Sequence, residues 1–298
     1  MLFGINDIRN SKLYDNMKRL LIFSLSLAAL AQITACKKKW TYDESNAPKT
    51  NAIVENAFAE MANMSDQAYK GGTFVYGIGK PIYKYQDSHI VSEAEKANCN
   101  VIITLDTVGV QDTITIDWGS NNCTCQDYKQ RRGKLIISYN GAYYNQGTVV
   151  KFTPVNYYVN DNKVEGLMTV TNMGVNSQSQ PYYNVDINGV VTLTTGEVAT
   201  YISAQVRTFT NGYNTVWNIA DDEWDVTGTA TAQVVNGDGY VANVTSPLHV
   251  KAYCPYITKG TLEITPTGKS TRTIDYGAGE CDGTFTIEIN GHTYTINV

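Results

Sequence analysis

Residues 283–298 read GTFTIEINGHTYTINV, and this stretch decides the fold class of the chain. Apolar and polar side chains alternate along its first half, with Phe285, Ile287 and Ile289 set against Thr284, Thr286 and Glu288. Such alternation places one face of a strand against a core and the other face in water. The pair Asn290-Gly291 follows, and both residues tolerate the positive φ angles of a two-residue turn. The stretch therefore predicts an antiparallel hairpin.

The same signals recur along most of the chain. Asn-Gly pairs stand at 140/141, 188/189, 211/212, 236/237 and 290/291. Around the second pair, YYNVDI-NG-VVTLTT (182–195) predicts another hairpin of the same kind. Beyond Gly72 we find no second helical pattern, and turn signals separate alternating runs every ten or so residues. We therefore predict an all-β domain over 73–298, a large antiparallel meander that forms either a sandwich or a strongly curled sheet.

One segment has the other periodicity. In NAIVENAFAEMANMSDQAYKGG (51–72) the apolar residues recur at helical spacing, namely Ile53, Val54, Ala57, Phe58, Met61 and Met64. Gly71 and Gly72 mark the end of this pattern. We predict one amphipathic N-terminal helix whose apolar stripe packs on the sheet; binding to a partner protein is the alternative use of such a stripe.

Two stretches of the predicted sheet nearly repeat one another. Residues 115–123 read TIDWGSNNC, and residues 273–281 read TIDYGAGEC. Each stretch closes a segment that begins with cysteine and contains two strand-like runs, and a third run follows each closing cysteine. We interpret the two segments, about 99–141 and 254–298, as a duplicated three-stranded unit.

The cysteines at the ends of each unit predict disulfides. In an exported chain, paired cysteines become structural disulfides, so we expect Cys99 to pair with Cys123, and Cys254 with Cys281. Each bridge would close a loop of about 25 residues and contribute about 3.5 kcal/mol. Cys125 is left over, and Cys99 with Cys125 is the alternative pairing. No metal site is predicted, because C-x-C lacks the usual C-x2-C spacing and no histidine is near in sequence.

The N-terminus has the layout of an export signal. Residues 17–36 read MKRLLIFSLSLAALAQITAC, with a basic start, an apolar run and small residues before a cysteine. We interpret 17–35 as a secretory signal peptide, since the apolar run is short for a membrane span. Residues 1–16 are interpreted as an extension from an upstream start codon.

The end of this signal resembles the lipobox of bacterial lipoproteins. Ile33-Thr34-Ala35-Cys36 places small residues before the cysteine that such proteins lipidate. The resemblance implies cleavage before Cys36, acylation of its thiol and stable membrane attachment through more than one acyl chain. The polar residues 36–50 are then expected to form the lipid anchor and a tether.

From about Cys99 to the C-terminus, the chain is similar to a group of uncharacterised, exported lipoproteins of the Bacteroidetes type. The resemblance rests on TIDWGSNNC, QRRGKLIISYNGAYYNQGT, NYYVNDNKVEG, TVTNMG and TIDYGAGECDG. It implies a β fold and a location in the cell envelope, with the outer membrane as the expected membrane. It carries no activity, and it leaves the periplasmic and the cell-surface face open.

Charge restricts the class of partner. Residues 1–35 hold four basic and two acidic side chains, so cleavage would leave 19 basic and 26 acidic residues and a net charge of about −7. A nucleic acid is therefore not an expected partner. The expected contacts are the membrane, through the lipid on Cys36, and a glycan or another envelope protein. Lys37, Lys38 and Lys39 would lie against anionic headgroups or simply be solvated.

The stretch WNIADDEWD is the strongest candidate for a ligand site. It groups two tryptophans with four carboxylates, in the order Trp217, Asp221, Asp222, Glu223, Trp224 and Asp225. Carboxylates beside aromatic rings fit sugar binding, glycoside hydrolysis or Ca²⁺ ligation, although contiguous carboxylates also occur on solvated loops. The three histidines, His89, His249 and His292, belong to no metal or nucleophile motif. No catalytic residue and no cofactor is assigned.

Two further features have a functional and a structural interpretation. The basic run Lys129, Arg131, Arg132 and Lys134 would bind an anionic glycan or lipid, or protect a sheet edge from self-association. The tyrosine pairs at 143/144, 157/158 and 182/183 would form a stacking surface for glycans, or pack across strands.

These features favour a cell-envelope lipoprotein with a non-enzymatic structural or binding role. The first alternative is a glycan- or lipid-binding module at the cell surface, which needs an accessible aromatic patch. The second alternative is a glycoside hydrolase, which needs two opposed carboxylates in a cleft.

Overall fold

The computed structural model of the protein describes residues 45–69, 80–86, 89–95, 101–106, 112–125, 129–141, 145–215, 218–254 and 256–297. The signal peptide, Cys36, Cys99 and Trp217 lie outside these ranges. The expectations stated above for those residues stay predictions.

One α-helix, one short 3-10 helix (Ile219–Asp221) and sixteen strands make up the described chain. Helix α1 spans Ala47–Tyr69. The strands are β1 Lys80–Gln86, β2 His89–Glu95, β3 Ile102–Asp106, β4 Asp112–Asp117, β5 Cys123–Thr124, β6 Gln130–Tyr139, β7 Val149–Val159, β8 Asn162–Val175, β9 Pro181–Thr192, β10 Val198–Asn211, β11 Glu223–Val235, β12 Tyr240–Lys251, β13 Ile257–Pro266, β14 Arg272–Ala278, β15 Thr284–Ile289 and β16 His292–Asn297. The predicted β chain with one N-terminal helix is confirmed.

The strands form one sheet in which chain neighbours are also sheet neighbours. Its order is β1-β2-β3-β4-β6-β7-β8-β9-β10-β11-β12-β13-β14-β15-β16, and the two-residue β5 pairs with β6 beside this path. Each pairing is antiparallel, as in β8 with β9 and β10 with β11. The predicted meander is therefore confirmed. Within the described ranges β1 and β16 do not pair, so the sheet is open.

One predicted Asn-Gly turn forms and another does not. Asn290 and Gly291, with φ of 53° and 76°, join β15 to β16. Asn188 and Gly189 instead lie inside β9 and pair with β10. The hairpin predicted around them is therefore wrong. Position 189 is occupied by glycine for another reason, because a Cβ there would lie 2.2 Å from Cζ of Phe58. This glycine allows the helix to approach the strand closely rather than allowing a turn.

The sheet curls around α1. The helix contacts β4, β7, β10 and β13, and eight interstrand steps separate the first of these strands from the last. At about 4.8 Å per step a flat sheet would spread them over about 38 Å, whereas a helix with its side chains is about 10–12 Å across. The burial of the helix also supports a curled sheet, because no residue from Thr50 to Ala62 is exposed. Of the two predicted arrangements, the curled sheet is the one that forms.

The hydrophobic core fills the space between α1 and the inner face of the sheet. The predicted helix stripe is part of it: Val54, Ala57, Phe58, Met61 and Met64 are buried, and Ile53 packs at its border. Alternate strand residues meet the stripe, among them Ile114, Ile116, Leu135, Ile137, Ile187 and Ile264. Burying one such side chain fully contributes about 1.5–3 kcal/mol. This single core is therefore the main source of stability.

The helix begins earlier than predicted, at Ala47 rather than Asn51. Ser45 precedes it, and the Ala47 N–H donates to the Ser45 Oγ at 3.2 Å. Pro48 stands in the first turn, where a missing N–H costs nothing. The last four residues of the predicted tether are thus helical, and Ala47 and Thr50 among them are buried.

The two TID segments form the same turn at two places in the sheet. The Gly119 N–H donates to Oδ1 of Asp117 at 2.8 Å, and the Gly277 N–H donates to Oδ1 of Asp275 at 2.9 Å. Both glycines have positive φ, 78° and 84°, which a residue with a Cβ adopts only at a cost. The common geometry fits the interpretation of a duplicated unit.

The cysteines bear out part of the predicted pairing. Cys254 and Cys281 form a disulfide, with an S–S distance of 1.99 Å. Cys123 is also disulfide-bonded, and its partner lies outside the described residues. Cys125 keeps a buried thiol, so the alternative pairing through Cys125 is wrong. The bond from Cys99 to Cys123 stays a prediction.

Candidate functional site

The first two residues of the acidic stretch hold the connection between β10 and β11, Asp221 through its carboxylate and Asp222 through its backbone. Asp221 ends a 3-10 turn, and its Oδ2 accepts a hydrogen bond from Oγ1 of Thr215 at 2.8 Å. The backbone carbonyl of Asp222 accepts a hydrogen bond from the Ala252 N–H at 2.8 Å. Both residues therefore stabilise the loop in which they lie.

Strand β11 separates the next three residues by face. Neighbouring residues of a strand point to opposite faces, so Glu223 and Asp225 share one face and Trp224 lies on the other. Trp217 is outside the described residues. The six residues that the sequence groups together are thus not one cluster in space.

His249 binds both strand carboxylates. It stands opposite Asp225 in the register of β11 and β12. Its Nδ1 is 2.7 Å from Oδ1 of Asp225, and its Nε2 is 3.3 Å from Oε2 of Glu223. Both ring nitrogens are directed at carboxylates, so neither is placed to activate a hydroxyl or a thiol.

This geometry fits neither hydrolysis nor a metal site. Glycosidases need two carboxylates that face the scissile bond from opposite sides, whereas Glu223 and Asp225 both contact the imidazole of His249. Over the part of the chain that the structure describes, no group of three or more His, Cys, Asp or Glu side chains could hold a metal ion. The three residues are best described as a histidine–carboxylate cluster that joins β11 to β12.

Four aromatic rings gather on the other face of β11. The rings of Trp224 and Phe209 stack, with centroids 3.8 Å apart and planes inclined by 13°. Tyr183 is tilted against Trp224 at 6.1 Å, and Tyr213 meets Phe209 edge-on at 6.0 Å. All four side chains are half-buried. This aromatic cluster (Tyr183, Phe209, Tyr213 and Trp224) therefore keeps part of its ring surface in solvent.

The aromatic cluster lies on the face of the sheet that carries α1. Tyr201, Gln205 and Phe209 share one face of β10, and the first two donate hydrogen bonds to Glu55 of the helix, from Gln205 Nε2 at 2.9 Å. Between Gln205 and Phe209 stands Arg207, whose Nη2 donates to Oε1 of Gln205 at 3.2 Å. A polar row thus leads from the helix to the aromatic cluster.

Two buried tyrosines lie near this row, and the Tyr201 hydroxyl donates a hydrogen bond to Glu55. Burial raises the pKa of Tyr201 well above its usual value, and the negative charge of Glu55 raises it further. Burial also raises the pKa of Tyr240. Both hydroxyls therefore stay protonated at neutral pH, because the charged form is the one that burial disfavours.

The basic run at 129–134 is not an unpaired cationic surface. Each side chain has an acidic partner: Glu60 for Lys129 and Arg131, Asp161 for Arg132, and Asp117 for Lys134. The side chain of Arg131 is 0% exposed, with Nη2 3.0 Å from Oε2 of Glu60. Strand β6 lies between β4 and β7 rather than at a sheet edge. Neither predicted use of the run fits.

Comparison with known proteins gives no further guide to this site. No protein-family model, no curated protein and no solved structure matches the chain. None of the helical segments that the structure describes is long and apolar enough to cross a membrane.

The sequence analysis identified some residues of the site but missed others that lie at its centre. Trp224 and the pair that contains Tyr183 are among the candidates, but Phe209, Tyr213 and His249 are not. Phe209 lies opposite Trp224, and His249 opposite Asp225, only in the register of the folded strands. No local signal gave this pairing, because eleven residues separate the end of β10 at Asn211 from the start of β11 at Glu223.

Proposed function

We propose that the chain is an exported lipoprotein of the bacterial cell envelope with a non-enzymatic binding or structural role. The observation that carries the proposal is the run from Met17 to Cys36, a signal sequence that ends in a lipobox. The Cys254–Cys281 disulfide supports export, because such bonds persist in oxidising compartments. The outer membrane is the expected membrane, on its periplasmic or its cell-surface side.

Binding fits the site better than catalysis does. Three carboxylates of the acidic stretch are engaged, Asp221 with Thr215 and both Glu223 and Asp225 with His249. The aromatic cluster remains partly accessible, as a glycan- or lipid-binding module would need. That more specific role is the second candidate, and a glycoside hydrolase is not supported.

Lipidation of Cys36 is the direct test. In cells labelled with radioactive palmitate, the wild-type protein should carry label and enter the detergent phase of Triton X-114, since several acyl chains give stable membrane binding. Cys36→Ala should lose both properties. Cys125→Ala changes another cysteine, serves as the matched control and should keep both. Label on Cys36→Ala would contradict the proposal.

A further inference from the structure

We propose that the aromatic cluster is a carbohydrate-binding site at the end of the domain that points away from the anchoring membrane. This inference rests on the lipid anchor proposed for Cys36. It also selects between the two ligand classes left open above, a glycan and a lipid.

The place where the anchored end of the chain meets the domain is fixed by an ion-pair cluster. Ser45, just ahead of α1, donates from Oγ to Oδ2 of Asp238 at 2.7 Å, and Lys269 Nζ donates to the same oxygen at 2.8 Å. Asp238 lies in the turn between β11 and β12, and Lys269 in the turn between β13 and β14. The lipid-bearing end of the chain thus enters at the turn end of these strands.

The aromatic cluster lies at the opposite end of the same strands. Strand β11 ends at Val235, next to the turn whose Asp238 binds Ser45. Trp224 lies eleven residues before Val235 in the same strand. At about 3.3 Å per residue the two positions are about 36 Å apart.

The chain between lipid and domain is short on this scale. Nine residues lead from Cys36 to Ser45, and even a fully extended chain of that length spans at most about 32 Å. The aromatic cluster could approach the anchoring bilayer only if the tether were fully extended and the aromatic end of the domain were turned toward the membrane. A lipid of that bilayer is therefore disfavoured as the ligand, and a soluble or matrix polymer is favoured.

The chemistry of the aromatic cluster fits sugar rings. The face of an aromatic ring carries partial negative charge and attracts C–H groups, which a pyranose presents on its faces while its hydroxyl groups lie around the rim. Polar side chains border the rings, since Asn172 and Arg207 are the cross-strand neighbours of Tyr183. The mature chain would carry a net charge of about −7, which repels acidic polymers. The expected ligand is an uncharged polysaccharide.

Binding to insoluble polysaccharides tests the ligand class. Full-length lipidated protein in detergent micelles would be mixed with cellulose, starch, chitin and curdlan, and the retained fraction measured. We expect retention on at least one of them. Trp224→Ala should weaken that binding about tenfold or more, as for a central aromatic anchor. Tyr213→Ala, in the loop after β10, should also weaken binding and disturbs the strands less.

The control for this experiment breaks an aromatic pair elsewhere in the sheet. The rings of Tyr276 and Phe285 lie 5.7 Å apart, and Phe285→Ala should bind as the wild type does. Retention on none of the four polysaccharides would overturn the proposal. Equal losses in Phe285→Ala and in Tyr213→Ala would overturn it as well.

Fluorescence quenching tests the orientation separately. Asn214 and Val235 are exposed at the aromatic end and at the turn end, and each would be replaced by cysteine and labelled. In vesicles that contain lipid with a spin-labelled headgroup, the label at 235 should lose more fluorescence than the label at 214. Equal or reversed quenching would overturn the orientation. A failed palmitate labelling would remove the anchor and with it the orientation, whereas a failed polysaccharide test with lipid present would remove only the sugar site.

Discussion

The two TID segments share a turn but differ in their surroundings. In each, a glycine N–H donates to the aspartate two residues earlier, Asp117 or Asp275, and the isoleucine before that aspartate is buried. The aromatic residue that follows the aspartate differs. Trp118 is 3% exposed, whereas Tyr276 is only half-buried.

Helix α1 explains much of this difference. Beside the first segment, Glu60 of the helix binds the fully buried Arg131 of β6, and the Trp118 ring packs against Tyr157 with centroids 5.3 Å apart. The second segment is closed by the Cys254–Cys281 disulfide, and Cys123 of the first segment is disulfide-bonded as well. The comparison teaches that a short local sequence determines a turn, while contacts from distant residues decide how deeply that turn is buried.

Of the variants that test this comparison, one that removes Glu60 should lower the stability most. Glu60→Ala leaves the buried Arg131 without one of its charge partners, and breaking a buried ion pair in this way costs about 3–5 kcal/mol. We expect a large fall in the urea midpoint. Glu165→Ala, which breaks the solvent-exposed pair with Lys163, is the matched control and should change the midpoint little. Similar midpoints for the two variants would contradict the burial assigned to the first segment.

Removing the disulfide should weaken the second segment almost as much. Cys254 and Cys281 are 27 residues apart, and the entropy of a loop of that length corresponds to about 3.5 kcal/mol. The double variant Cys254→Ala, Cys281→Ala should therefore unfold at clearly lower urea concentration. Cys125→Ala, which removes only a buried thiol, should keep the wild-type sensitivity to added reductant. A double variant as stable as the wild type would contradict the role of this bond.

The turn aspartates should have the smallest effect and should differ in pH dependence. Partial burial alone would raise the pKa of Asp117, but hydrogen bonds from Lys134 and Gly119 outweigh it and hold this pKa below its usual 3.8. A carboxyl group whose pKa is lower in the folded state stabilises the protein at pH values above its unfolded-state pKa. This stabilisation is lost as the pH falls through the folded-state pKa. Asp117→Asn should cost about 0.5–1.5 kcal/mol at neutral pH and should reduce the loss of stability on acidification.

Asp275→Asn is the matched variant in the second turn. Among the described residues only the Gly277 N–H donates to Asp275, so this substitution should change the acid response less than Asp117→Asn does. Urea titrations between pH 6 and pH 2.5 would measure both. Equal acid responses for the two variants would contradict the difference assigned to Lys134.

Local patterns predicted the elements of this fold well. Alternation and Asn-Gly pairs identified an antiparallel meander, and the stripe from Val54 to Met64 identified the helix. The hairpin at Gly189 failed because the same residue type serves a turn and a close helix contact, and only the position of Phe58 distinguishes them. The binding of an anionic ligand predicted for the basic run failed for a similar reason, since the burial of Arg131 depends on Glu60, 71 residues earlier in the chain.

The candidate site was harder to predict than the fold. The acidic stretch drew attention because its residues are adjacent, yet strand alternation sends Trp224 to one face and Asp225 to the other. The partners that complete each face, Phe209 and His249, come from β10 and β12. Their positions depend on register, bulges and the length of the loop between strands, which composition and spacing do not determine.

The curl of one sheet around α1 underlies the core, the position of the aromatic cluster and its distance from the tether. Methyl NOE spectroscopy of the isoleucine, alanine and methionine side chains tests it most directly. We predict NOEs from methyl groups of α1 to isoleucine methyls on both sides of the sheet order, with Ile116 of β4 and Ile264 of β13 as the reporters. NOEs from the helix to only one of these two strands would show a flat packing and would contradict the curl.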